Sequence, residues 1–78
     1  MTNDEIVSTI KKTIPDAEVF VNDLNGGGDH LQVKVISKIF KDKSLIKQHQ
    51  LVYQALSKEL ASEAIHALAL ETSIPKIN

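Results

Sequence analysis

His30, His49 and His66 are the residues of this chain best suited to coordination chemistry, because its 78 residues include no cysteine. Neutral imidazole is a ligand for iron, zinc and copper, and it also binds or releases a proton near neutrality. The histidines lie 19 and 17 positions apart, with neither an HxxxH nor an HExxH spacing among them. Any shared site must therefore be assembled by the fold, since no local metal motif exists. Each also has an ordinary structural role open to it: His30 as a solvated residue at a loop end, His49 as a hydrogen-bonded residue at the edge of a helix face, and His66 as a satisfied residue at a strand start. Lacking cysteine, the chain has no thiol nucleophile, no internal disulfide framework and no thiolate-only metal site. Ser44, Ser57 and Ser62 have no evident base partner and the carboxylates are scattered, so no enzymatic activity is expected.

The elements that must position these residues are legible from pattern. TNDEIVSTIKKTIP reads as a first helix: Thr2 and Glu5 have capping-box spacing, Ile6, Val7, Ile10 and Ile14 recur at helical intervals, and Pro15 ends it. AEVFVN, residues 17–22, is rich in β-formers and precedes the turn DLNGGGD. LQVKVI then alternates, with Leu31, Val33 and Val35 on one side and His30, Gln32 and Lys34 on the other. Together these make a hairpin with one buried and one wetter face, its glycines supplying loose, positive-φ loop geometry. After the connecting turn IFKDK, Ser44 caps a long helix, LIKQHQLVYQALSKELA, with an apolar stripe of Leu45, Val52, Leu56 and Leu60 and with Ala55 beside it. SEA at 62–64 breaks the helical pattern. IHALALETSIP supplies a last strand in which Ile65, Ala67 and Ala69 oppose His66, Leu68 and Leu70, and either set could be buried. The expected fold is α+β in the order αββααβ, a single domain over residues 1–78, with helices packed on one face of a three-stranded mixed sheet.

Composition narrows the function classes. The chain is 42% hydrophobic and 24% charged with a net charge of −1, the profile of an ordinary globular domain. All nine basic residues are lysines, so the bidentate fork by which arginine reads guanine or phosphate is missing. Phe20, Phe40 and Tyr53 are the only aromatic residues apart from the histidines, too few to favour base stacking. No apolar run approaches membrane-spanning length and the amino terminus has no signal or transit pattern, so a cytoplasmic protein without a membrane partner is expected.

Three motifs in order, GGGDHLQVKVIS, FKDKSLIKQHQLVYQAL and IHALALETSIP, closely resemble the BolA family over about residues 3–75. That family carries a Gly/Ser-rich loop leading to a His, an H-x-x-V-Y-x-x-L helix and an IHALAL-x-T-x-x-P strand, in an arrangement similar to class II KH domains. The resemblance implies pairing with a monothiol glutaredoxin around a bridged [2Fe-2S] cluster, in iron-sulfur trafficking or in iron or redox sensing. Glutaredoxin would give a cysteine, glutathione a thiolate, and this chain imidazole. His66 matches the family's C-terminal ligand, and His30 the position of a second His or Cys, carried on glycines that would let it swing toward the cluster. His49 matches a family histidine for which a structural or interface hydrogen bond is the expected role. Imidazole ligation raises cluster potential relative to all-thiolate sites and is lost on protonation.

The chain departs from the family pattern at Leu31, where Phe is common, at Gln48, where Arg is common, at Asp42, where Gly is usual, and in a short IPKIN tail without Trp. The rival reading is a nucleic-acid-binding regulator, suggested by the KH-like arrangement. Lys38, Lys41, Lys43 and Lys47 cluster around the turn and helix start, where they could meet phosphates or an acidic partner surface. A KH domain, however, grips its ligand through a GxxG loop between helices, and the glycines here lie in the hairpin.

Overall fold

The computed structural model describes residues 2–76. The element order is α1 (Asn3–Thr13), β1 (Glu18–Asp23), β2 (His30–Ile36), a short 3-10 turn (Lys38–Phe40), α2 (Leu45–Ala55), α3 (Ser57–Ala61) and β3 (Ala67–Ser73). Helix α1 opens on the expected capping box: the Thr2 hydroxyl accepts from the Glu5 amide, and the Glu5 carboxylate accepts from the Thr2 amide at 3.0 Å. It closes where the Ile14 amide donates to the Ile10 carbonyl, immediately before Pro15.

β2 is the central strand, antiparallel to β1 and parallel to β3. Parallel pairing demands a crossover, and the 3-10 turn with α2 and α3 provides it. Leu31, Val33 and Val35 point into a core completed by Ile6, Ile10, Ile14, Phe40, Val52, Leu56 and Ile65. Gln32 and Lys34 point the other way and are exposed, so the helices cover one face as the alternation requires. On the open face Lys34 pairs with Glu71 across the β2–β3 register at 3.2 Å.

Three details refine the expected αββααβ order. The long helix is two, divided at Leu56, whose backbone (φ −106°, ψ 16°) leaves helical geometry while its side chain is fully buried. Neither glycine nor proline marks the break; it coincides with the point where the helix must turn to keep both Leu56 and Leu60 on the core. Leu45 does not join the apolar stripe and is 60% exposed. In β3, Leu68 and Leu70 pack against the core while Ala67 and Ala69 face outward, yet Ile65, of the alanines' parity, is buried. The alternation slips where the chain enters the strand: the amides of His66 and Ala67 both donate to the Asp29 carbonyl, at 2.7 and 3.0 Å.

Gln48, at the position where arginine was noted as common, acts as a tie. Its amide nitrogen donates to the carbonyls of Phe40 and Lys43, and its oxygen accepts from the Thr72 hydroxyl at 2.7 Å. The connecting turn, α2 and β3 are thereby joined. Asp42 adopts φ +63°, the left-handed conformation in which glycine is easiest, so the departure there is one of residue type and leaves the backbone path available. Of the IPKIN tail, Ile77 and Asn78 lie outside the described residues.

Candidate metal centre

The hairpin loop is built around two side chains that precede the glycines. Asp23 accepts from the Gly26 amide with one carboxylate oxygen and from the Gly28 amide with the other, at 2.9 and 2.8 Å. The Asn25 side-chain oxygen accepts from the Gly27 amide at 2.9 Å. Gly26 and Gly28 have φ of +78° and +77°, conformations costly for a residue with a Cβ. At Gly27 a Cβ would stand 3.0 Å from an Asp29 carboxylate oxygen and 3.3 Å from the Asn25 side-chain oxygen. The glycines therefore let the loop fold tightly onto its own polar groups. This departs from the slack tether expected: the loop is laced, and His30 emerges from it in a defined place.

His30 begins β2, where its carbonyl accepts from the Leu24 amide and closes the hairpin. Its ring Nδ1 lies 2.7 Å from the Asn25 side-chain nitrogen and 3.2 Å from an Asp29 carboxylate oxygen. These contacts engage Nδ1, so Nε2 is the ring nitrogen without a contact in the loop. The hydrogen bond with His30, followed by that from Asn25, holds the Asp29 carboxyl below its ordinary value. Across the parallel register His30 faces Ala67, which places the preceding residue, His66, next to it. The two rings have centroids 5.5 Å apart and planes inclined at 44°. His66 is exposed and the His30 side chain is 40% exposed, so both present to the surface.

Two imidazoles brought together from positions far apart in sequence are chemically suited to hold one metal atom in part. Two histidines on one iron of a [2Fe-2S] unit is the ligand count of a Rieske-type centre. Among the described residues no group of three or more His, Cys, Asp or Glu side chains is placed to hold a metal ion. The pair thus fits a shared cluster whose remaining ligands come from outside the chain, and it does not fit a self-sufficient structural site.

His49 is not brought to this pair. It lies in α2, with its Nε2 buried without a hydrogen-bond partner and its ring edge-on to Tyr53 at 6.4 Å. The hydrogen bond expected of it is absent at that atom. Lys43 and Lys47 border a shallow depression with Gln50, Leu51 and Gln54, and Lys38 and Lys41 flank Ile74 and Pro75. The connections on either side of α2 contain no glycine, so the backbone-gripping GxxG loop of a KH domain has no counterpart.

Sequence reasoning passed over Asp29, Asn25 and Asp23. The signal for them was present in DLNGGGD, whose acids and amide bracket the glycines and are the residue types that fold a loop onto its own amides.

The chain is thus a small α+β domain with helices over one sheet face and an exposed pair of histidines where β2 and β3 begin. The chain belongs to the BolA-like family, whose model matches residues 6–76. Human BolA-like protein 3 is 37% identical over 73 residues, an alignment that takes in 91% of this chain and 66% of that protein. The chain thus spans just under two thirds of that relative's length. Among solved structures, BolA1 from Arabidopsis thaliana superposes with a TM-score of 0.81 at 28% identity, covering 96% of this chain and 95% of the other. The BolA domain of SufE1 from the same organism gives 0.79 at 29% identity, with the same coverage.

Proposed function

We propose that this protein is an adaptor that binds a monothiol glutaredoxin and co-ligates a bridged [2Fe-2S] cluster through His30 and His66, in cluster trafficking or in iron or redox sensing. The observation that carries the reading is the 5.5 Å pairing of these two rings, with Nδ1 of His30 already engaged and both side chains open to the surface. The chain brings imidazole only; with no cysteine of its own, the thiolates that complete the cluster come from the glutaredoxin and from glutathione. No reaction is assigned to the chain itself. A cytoplasmic location belongs to the same proposal, because a glutathione thiolate is available as a ligand where thiols are kept reduced.

The cluster, when bound, supplies electron-transfer and sulfide-transfer chemistry; the histidines set its potential and its sensitivity to acid. The test is anaerobic reconstitution of the protein with a monothiol glutaredoxin, glutathione, iron and sulfide, read by visible circular dichroism and gel filtration. A heterodimer with a spectrum unlike that of the glutaredoxin alone supports the reading. An unaltered glutaredoxin spectrum with no complex would overturn it, and binding to DNA that collapses as salt rises would then favour the nucleic-acid reading through Lys38, Lys41, Lys43 and Lys47.

A further inference from the structure

Asp29 touches both candidate ligands at once. Its backbone carbonyl accepts from the amides of His66 and Ala67, at 2.7 and 3.0 Å, while its carboxylate lies 3.2 Å from Nδ1 of His30. The same Nδ1 is contested by Asn25, whose side-chain nitrogen lies closer, at 2.7 Å. The other contacts of Asn25 show which way its amide lies here: its oxygen accepts from the Gly27 amide, and its nitrogen also donates to Asp29 at 3.3 Å. Nδ1 of His30 therefore stands between a donor and an acceptor.

These two partners demand different tautomers. If Asn25 donates to Nδ1, the ring proton of neutral His30 is on Nε2, and that nitrogen has no lone pair for a metal. If Nδ1 carries the proton and donates it to the Asp29 carboxylate, Nε2 is bare and directed outward, in the arrangement that orients metal-bound histidines generally. The change moves one proton from one ring nitrogen to the other through solvent and turns the Asn25 N–H away; no charge is gained or lost. Resting on the two-histidine reading above, the geometry points to Asp29 as the positioning residue of the site and Asn25 as its antagonist. Together they decide whether Nε2 of His30 is available to metal, while the Asp29 main chain fixes the neighbouring backbone of His66. The arrangement uses the acid directly before His30 and the amide five residues before it, both in the loop that the three glycines tighten.

The experiment is a long-range 1H–15N correlation spectrum of the free protein, at a pH where the imidazoles are neutral. It is recorded for the native chain, Asp29→Ala and Asn25→Ala, with Asp29→Asn as a variant that keeps the side-chain volume. Asp29→Ala is expected to move His30 toward the Nε2–H tautomer, and Asn25→Ala toward Nδ1–H, while amide spectra away from the loop stay native. In the reconstituted complex with glutaredoxin, Asp29→Ala is expected to speed cluster loss to a chelator by roughly 10-fold or more. An unchanged tautomer across the variants overturns the assignment of Asp29, whatever the cluster does. A responsive tautomer in a complex whose cluster is indifferent to His30→Ala overturns the two-histidine reading instead, and the positioning role of Asp29 with it.

Discussion

His30 and His66 face each other because one peptide carbonyl, that of Asp29, receives the amides of His66 and Ala67 just where β2 and β3 begin to pair in parallel. Residues 36 positions apart are thereby held with their ring centroids at 5.5 Å. The pairing is a consequence of topology: a parallel partner for β2 can come only through a crossover, and the crossover returns the chain beside the loop end.

Removing either ring should erase the site and spare the fold. Neither imidazole belongs to the buried core. His66→Ala and His30→Ala are therefore expected to abolish the heterodimer's visible dichroism, and to leave far-UV dichroism and thermal midpoint close to native. Unfolding of His66→Ala together with a silent His30→Ala would assign both histidines to structure alone.

Acid should release the cluster before it unfolds the chain. Protonated imidazole cannot ligate, so lowering the pH removes the ligands this protein contributes. Titrating the heterodimer downward while following visible and far-UV dichroism together should show the visible signal lost first. Coincident loss of both would place the acid sensitivity in the fold.

Asp16 supplies a separate acid response. The buried Ser37 hydroxyl donates to its carboxylate at 2.6 Å and the Lys38 amide donates at 3.0 Å, and these bonds, Ser37 first, hold the carboxyl below its ordinary 3.8. A depressed carboxyl stabilises the fold fully above the unfolded value, and that contribution is lost as pH falls through the folded one. Asp16→Asn should therefore lower the thermal midpoint at neutral pH, with the gap from native closing below about pH 4. A gap that is constant with pH would show that the carboxylate's charge is immaterial.

Two left-handed residues mark places where glycine should stabilise. Asp42 (φ +63°) and Glu63 (φ +62°) each strain an L-residue, and relief of that strain exceeds the added flexibility of the unfolded chain. Asp42→Gly and Glu63→Gly should each raise stability by up to about 1 kcal/mol in urea unfolding. In the opposite direction, Leu31→Ala empties a fully enclosed position between β2 and the helices and should cost about 2–5 kcal/mol.

Much of this was legible in the sequence because the signals were local or periodic. The capping box at Thr2 and Glu5, the alternation of Leu31, Val33 and Val35, and the Ser44 cap each act within a few residues, and each formed as read. The division at Leu56 was not marked by any residue type, since burial of Leu56 and Leu60 on the same core decides it. The outward turn of Ala67 and Ala69 likewise depends on a long-range contact, the shared Asp29 carbonyl, which no periodicity contains. At the site, His30 and His66 could be singled out by residue type and by family motif. Their juxtaposition and the grip of Asn25 and Asp29 on Nδ1 emerge only when the loop is folded. His49 belongs to another of the three family motifs, and its place in α2 keeps it out of the pair.

Ligation of one iron of a shared cluster by two imidazoles of this chain has a direct spectroscopic signature. The most direct measurement is pulsed EPR on the reduced heterodimer in which only this chain carries 15N-labelled histidine. Strong couplings from two histidine nitrogens of this chain are expected. A spectrum without any 15N coupling from this chain would contradict that ligation.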